Sequence, residues 1–438
     1  VKIAFVYPSF ERHAESHPEL RQYVPCNEYL GPPSLGIAAV AAMTPPGHDI
    51  VFIDDRITRF DPADPKHDAD LYALSFFTPA ATRGMEIGDQ LLKLGKPVVM
   101  GGIFPSMMPD EVQSHCTSVV VGEGEPVWAT IVEDALAQRL RPRYVSSSHG
   151  DLGAYPPPRL DLYLGSETAE HQPDDYPLQL ARGCPLSCNA CVLPAHMGRV
   201  MRFQSDANLI AAMRQLTAAG KLISFTEDTS VTFAYGARRR FRAFLEMVLE
   251  LQAKGLAVRF SYLGISMPMI LHLPDEFFAL LRATGMDRFY LVGGFDPITR
   301  KAFGVGDKSA LAKATQAIGR CHDEGIKPYV SFLMGNPDDD EGVFDRMVDF
   351  GRSTKIDLAE FCVSTPYPGT PLWHQYTDEG RMLGRPWKYF NDANVTFRPH
   401  HMSPERLEEG YLYAWREFYG GRQEDLGERE HLHRTIQF

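Results

Sequence analysis

Three cysteines, Cys184, Cys188 and Cys191, fall within eight residues in the run ARGCPLSCNAC. The spacing C-x-x-x-C-x-x-C puts three thiolates on one short loop. Such a loop can hold three corners of a [4Fe–4S] cube, which ordinarily takes four cysteines. One iron is then left without a protein ligand. An open position on a metal is where a small molecule binds and reacts, as open zinc sites illustrate. The competing reading adds His196 and makes the set Cys₃His, a structural zinc site. Gly183 and Pro185 shape a loop that can wrap a cube, and the motif directly follows a buried-type strand, which a surface zinc knuckle does not need.

The other four cysteines (Cys26, Cys116, Cys321 and Cys362) are scattered with no paired spacing. A disulfide framework is not expected, and a reducing cytoplasm is the default compartment. No signal-peptide pattern opens the sequence, and no apolar run reaches the length of a membrane span. The net charge is −12, from 44 basic and 56 acidic residues. A dedicated nucleic-acid binder would instead carry a basic face. The run Arg238, Arg239, Arg240 reads as a solvated helix face.

The first third of the chain alternates strand and helix. VKIAFVYP, HDIVFIDD, ADLYALSFFT, KPVVMGG and SVVVGEGE read as five strands, with helices at GPPSLGIAAVAAM, TRGMEIGDQLLKLG and PVWATIVEDALAQ. Continuous apolar strands interleaved with helices predict a parallel sheet covered on both faces. Residues 1–145 are therefore expected to form an α/β, doubly wound, Rossmann-like domain. Residues 146–176 are polar and Pro-rich and read as a linker. From Pro177 a second alternation gives six strand–helix repeats up to residue 371, a count that suits a partial (β/α)₆ TIM barrel. The cysteine loop follows the first of these strands, at the end where barrels carry their chemistry. Residues 372–438 read as a helical, aromatic C-terminal region.

On these motifs the chain resembles the radical SAM family, and its first domain resembles that of the cobalamin-dependent members. The resemblance covers about residues 1 to 370. It implies a [4Fe–4S] cluster on Cys184, Cys188 and Cys191, with S-adenosylmethionine (SAM) bound to the open iron and cleaved to a 5′-deoxyadenosyl radical. It implies SAM contacts from Thr226, Glu227 and Asp228 after the second barrel strand. Further contacts are implied from Gly293 and Gly294 after the fourth, and from Gly335, Asn336 and Pro337 after the fifth. GRVMRFQS and STPYPGTPL resemble the family's segments after the cluster loop and after the sixth strand. One departure is Ala190, where the family often has an aromatic residue beside the adenine.

In the first domain no G-x-G-x-x-G opens the first helix, so a nicotinamide cofactor is a poor match. The loops after the third, fourth and fifth strands instead resemble a cobalamin site: Ser75, Phe76 and Thr78; Gly101 and Gly102; Gly122, Glu123 and Gly124. Glycines let the backbone approach a large ligand closely. The motif D-x-H-x-x-G is absent, so no histidine is expected beneath the cobalt. For Phe76 a place in the core at the strand end is the competing reading.

The resemblance implies a C-methyltransferase acting on an unactivated carbon of a small-molecule substrate. The alternative is a cyclisation, rearrangement or oxidation with the same cofactors and no net methyl transfer. An external electron donor such as flavodoxin or ferredoxin is implied. Met267, Met269 and Ile270 could line an apolar pocket, which would favour an apolar or polycyclic substrate, with packing in the core as the competing and favoured reading.

Overall fold

The computed structural model describes residues 1–23, 31–146, 149–225, 237–292 and 307–420. The first domain is built on six parallel strands: β1 (Lys2–Tyr7), β2 (Asp49–Asp54), β3 (Leu71–Ser75), β4 (Val98–Gly101), β5 (Ser118–Val121) and β6 (Arg143–Val145). Their order is β2-β1-β3-β4-β5-β6. The sixth strand is an addition to the five read from the sequence. It comes from RYV, three residues too short to show a pattern, and it pairs Val119↔Arg143 through Val121↔Val145.

With this order the chain leaves β1 in opposite directions, towards β2 on one side and β3 on the other. A crevice opens beyond the carboxyl ends of the strands at such a switch point. The helix Leu35–Ala42 faces it. This helix is apolar all round because it is buried on several sides, with Leu35, Ile37, Ala38, Ala39 and Ala41 all in the core. Tyr163, from the short helix Leu160–Leu164 in the segment read as linker, inserts into its first turn. The Tyr163 hydroxyl accepts from Ala38 N–H at 3.0 Å and donates to Ser34 O at 2.7 Å.

The second domain contributes β7 (Asp175–Leu178), β8 (Ala181–Arg182), β9 (Arg202–Phe203), β10 (Leu222–Phe225), β11 (Leu263–Ser266), β12 (Arg288–Val292), β13 (Lys327–Met334) and β14 (Leu358–Val363). β7 pairs with β10, and β11-β12-β13-β14 form a four-stranded run, all parallel. The bridge Ile223↔Phe260 joins the two groups into a six-stranded wall. The run PLQLARG, at the start of the second alternation, divides in two. Its first half enters the barrel wall as β7, while Ala181 and Arg182 leave the wall and pair antiparallel with Phe203 and Arg202. In the run AVRFSYLG the strand β11 begins only at Leu263, since Phe260 meets β10 only at the bridge and stacks on Phe225 at 5.5 Å.

The C-terminal helix Pro404–Tyr419 buries Leu407, Tyr411, Ala414, Trp415 and Phe418, a helical stripe, against the barrel. Gly410 lies so close to Phe344 that a Cβ there would sit 2.1 Å from the ring. The Tyr419 hydroxyl donates to Ala359 O at 2.6 Å and accepts from Ala359 N–H at 3.1 Å. These bonds cover the open edge of β14, backbone that would otherwise invite another strand. The same region ties back to the first domain. The Tyr411 hydroxyl lies 2.8 Å from His13 Nδ1, and Asn391 donates to Glu11 O at 3.0 Å. One apolar core runs continuously from the first sheet into the barrel. Among the described residues no helix is long and apolar enough to cross a membrane.

Candidate functional site

The cysteine loop lies between β8 and β9. Gly183 takes φ +93°, and a Cβ on it would meet Val200 O at 2.2 Å, so only glycine fits there. Cys184 N–H donates to Gly198 O at 3.0 Å, and Cys191 N–H donates to Cys188 O at 3.4 Å. Cys184 is buried, while Cys188 and Cys191 are half-buried. Leu186, Leu193, Met197 and Met201 pack around Cys184 and Cys191 and form an apolar nest. Among the described residues no three His, Cys, Asp or Glu side chains converge as donors for a single ion. The tight Gly183 turn and the apolar nest shape a loop that accommodates a cube. The burial that dominates at His196 lowers its pKa to about 4, so it is neutral. Its ring lines the neighbouring cavity, and Nδ1 is buried without a hydrogen-bond partner.

That cavity, of about 450 Å³, opens beyond the carboxyl ends of the first sheet. Tyr7 at the end of β1 and Ser75 at the end of β3 line it, as the switch point requires. Phe76, Gly101, Gly102, Gly122, Glu123 and Gly124 also line it. Ser106, not singled out from the sequence, fastens two of these loops. Its hydroxyl donates to Gly102 O at 2.7 Å and accepts from Gly122 N–H at 3.0 Å. A glycine-walled, largely apolar cleft fits a broad flat ligand such as a corrin. The histidine among its lining residues, His196, comes from the barrel side and not from the first sheet.

Two members of the expected set lie differently. Thr78 is buried and is not part of the lining, because the chain turns at Thr78–Ala80 into the helix Ala81–Lys93. The Phe76 ring is 2% exposed, packed in the core where Gly84 leaves room for it.

On the barrel side, Thr226, Glu227, Asp228, Gly293 and Gly294 lie outside the described residues. Gly335, Asn336 and Pro337 follow β13. Gly335 has φ +85°, and a Cβ would meet Leu407 at 2.7 Å and Phe397 at 3.1 Å. Packing of the C-terminal helix already accounts for this glycine. Asn336 and Asp339 close the turn on themselves, with Asn336 N–H donating to Asp339 Oδ2 at 2.9 Å. Met267 and Ile270 are fully buried in the core, and Met269 is half-buried.

A polar cluster not singled out from the sequence occupies the side of β12, β13 and β14 away from the helices. Tyr290 donates to Glu360 Oε2 at 2.8 Å, Tyr329 to the same oxygen at 3.4 Å, and the Cys362 thiol to Oε1 at 3.0 Å. Burial pushes the Glu360 carboxyl up to about 7, with Cys362 and Tyr290 opposing and nearby Asp392 adding to the rise. Such a carboxyl holds its proton better in the folded chain. Its contribution is complete below the ordinary value of 4.5 and is lost as pH rises through about 7. That window corresponds to roughly 3 kcal/mol. Glu360→Gln is therefore expected to flatten the fall in stability between about pH 5 and about pH 8, measured by urea unfolding. An unchanged slope would show that Glu360 is not the titrating group.

Between the cysteine loop and the cleft lies a buried ionic seam. Arg182 Nη1 meets Glu125 Oε1 at 2.7 Å, and its Nε donates to Gln179 at 2.7 Å. Arg202 holds both oxygens of Glu123, at 2.6 and 2.9 Å. Burial raises the Glu123 carboxyl, but Arg202 and Arg182 outweigh it and hold it below its usual range. The carboxylates of GEGE thus pair with arginines, while Gly122, Glu123, Gly124 and Glu125 all line the cleft. Arg182 and Arg202 stand directly opposite each other in the β8–β9 ribbon. Like charges so placed repel unless counter-charges arrive, and Glu123 and Glu125 are those counter-charges.

The chain matches the family described as B12 binding domain over residues 29–132. A bacteriochlorophyllide d C-12(1)-methyltransferase of Chlorobaculum tepidum is 28% identical over 395 residues, 88% of this chain and 82% of that protein. A bacteriochlorophyllide d C-8(2)-methyltransferase of the same organism is 25% identical over 404 residues, 88% of this chain and 85% of that protein. The fold is that of TsrM, a radical S-adenosylmethionine methyltransferase from Kitasatospora setae solved with tryptophan and a SAM analog. The TM-score is 0.67 at 17% identity, over 95% of this chain and 88% of that one. The first domain thus carries a match to the B12 binding domain, and the chain is similar over most of its length to methyltransferases and has the fold of a radical SAM methyltransferase.

Proposed function

We propose that the chain is a cobalamin-dependent radical SAM methyltransferase that methylates an unactivated carbon of a small-molecule substrate. The supporting observation is a shared wall. Arg182, His196 and Met197, which flank the cysteine loop, line the same cavity as Gly101, Gly102, Gly122 and Glu123. Two cofactors held at these places would face one another across a single space. When bound, the cluster supplies the electron that cleaves SAM, and the corrin carries the methyl group.

The chain's own residues supply binding and shelter. Cys184, Cys188 and Cys191 would hold the cluster, and Leu186, Leu193, Met197 and Met201 keep water from it. The loops at Ser75, Gly101, Gly102, Gly122 and Gly124 would seat the corrin, with the backbone of Phe76 beside them. Gly335 and Pro337, with Thr226, Glu227, Asp228, Gly293 and Gly294, are the proposed SAM contacts. Tyr262 lines the cavity and lies 6.1 Å, ring to ring, from Tyr290, so the Glu360 cluster adjoins the reaction space. An apolar, polycyclic substrate is the first class to test, since both bacteriochlorophyllide methyltransferases match over most of their length. An electron donor such as flavodoxin or ferredoxin and a cytoplasmic setting complete the proposal.

The test is anaerobic turnover of reconstituted protein with SAM, hydroxocobalamin, a reductant and a chlorophyllide-type substrate. S-adenosylhomocysteine and 5′-deoxyadenosine are expected in equal amounts with methylated product. 5′-Deoxyadenosine without S-adenosylhomocysteine would replace methylation by cyclisation, rearrangement or oxidation.

A further inference from the structure

We propose that the pairs Glu123–Arg202 and Glu125–Arg182 couple the two cofactor sites, so that filling the corrin cleft and assembling the cluster assist each other. The inference rests on the cofactor reading above and adds a linkage to it. Glu123 sits between Gly122 and Gly124 in the cleft wall. From the other side, Arg202 binds three separate segments at once. Its Nη1 donates to Glu123 Oε2 at 2.9 Å and to Gly150 O at 3.0 Å. Its Nη2 donates to Glu123 Oε1 at 2.6 Å and to Met197 O at 3.0 Å. Met197 ends the helix Leu193–Met197 that follows the third cysteine, and the next carbonyl, Gly198 O, receives Cys184 N–H. A short chain of contacts therefore runs from the corrin loop through Arg202 to the backbone of the first cysteine.

The second pair runs parallel to it. Arg182 is separated from Cys184 only by Gly183, whose conformation is locked against Val200. The side chains of Glu123, Glu125 and Arg182 are each less than 10% exposed, and that of Arg202 is 13% exposed. Ion pairs this buried resist stretching, because parting them leaves charge without water or partner. Displacement of residues 122–125 must then carry the cysteine loop with it, or oppose it. Two sites joined this way share one coupling free energy, and each ligand changes the other's affinity by the same factor.

The experiment titrates hydroxocobalamin into the whole chain by absorbance, once with the reconstituted cluster and once after the cluster is removed. Wild-type protein is expected to bind about 10-fold tighter with the cluster present. By reciprocity, hydroxocobalamin should slow iron loss to a chelator. In Glu123→Gln/Arg202→Met, which removes both charges together, the ratio of the two affinities is expected to fall to about one, whatever the change in the absolute affinity. Glu125→Gln/Arg182→Met makes the same test on the second pair if the first variant does not fold. Equal wild-type affinity in both states overturns the coupling alone. A ratio that survives in the folded double variants overturns its assignment to these pairs. No hydroxocobalamin binding in either state overturns the cofactor reading, and the coupling with it.

Discussion

Replacing Cys184 with alanine is expected to abolish iron retention and product formation together while leaving a folded chain. The loop has three thiolates for a cube that must keep one corner open, so it has no spare ligand. Cys184 is the deepest of the three, with its amide held by Gly198 O and its side chain in the apolar nest of Leu193 and Met197. Removing one small buried sulfur creates a cavity that costs on the order of 1–2 kcal/mol, too little to unfold a domain this size. The loss is therefore chemical. Iron and sulfide per chain after reconstitution, and the broad iron–sulfur absorption, are the measurements. Hydroxocobalamin should still bind, more weakly than to the loaded wild type if the ionic seam couples the sites. A Cys184→Ala protein that keeps a full cluster and turns over would remove this loop from the chemistry. Stoichiometric zinc in the anaerobically purified wild type would restore the Cys₃His reading.

The features legible in the sequence are local. Three cysteines on one loop, glycines at strand ends and buried apolar strands each leave a mark within a few residues. The architecture follows from them because parallel strands need helical crossovers, and the alternation repeats that need along the chain. Partnerships across long stretches leave no such mark. Arg182 and Arg202 appear in the sequence beside the cluster motif, and Glu123 and Glu125 in a separate glycine run. Only the fold brings them together. An arginine pair facing across a ribbon calls for two buried carboxylates, but the ribbon itself is two residues long on each side and too short to show a pattern.

Gly335 shows how a local reading can miss a distant contact. At the end of β13 it has the form of a ligand-binding turn, yet Leu407 and Phe397 from the C-terminal region fill the space beside it. A tertiary contact also acts at a position that looks local. Glu360, by contrast, carries a signal that the sequence does show. A single carboxylate within the apolar strand LAEFCV is costly unless hydrogen-bonded, so it calls for partners on neighbouring strands. Tyr290, Tyr329 and Cys362 are those partners.

Gly102→Ala is expected to separate the two cofactors in the opposite sense, losing the corrin and keeping the cluster. Gly102 has φ +98° and ψ −167°, a conformation that residues with a Cβ rarely adopt. A Cβ there would lie 2.8 Å from Ser75 Oγ and 2.9 Å from both the amide nitrogen and the carbonyl oxygen of Phe76. The two backbone atoms of Phe76 cannot yield cheaply. Phe76 N–H is bonded to Gly101 O at 3.2 Å, and Phe76 O receives Phe104 N–H at 3.2 Å. The Phe76 ring is locked in the core, so the loop can relieve the clash mainly by moving its backbone towards the cleft. Backbone strain costs about 1–3 kcal/mol, and forced overpacking adds a similar amount. If about 3 kcal/mol of this is taken from the bound state, hydroxocobalamin affinity falls roughly 100-fold. Iron per chain, measured after reconstitution without hydroxocobalamin, should be unchanged, since the cysteine loop belongs to the other wall. Gly47→Ala is the control, because Gly47 has φ +89° and a Cβ there would meet nothing within 4 Å, so the substitution imposes strain without a clash. It should lower stability and leave hydroxocobalamin affinity intact. Equal affinity in Gly102→Ala and wild type would mean that the corrin does not rest on this loop.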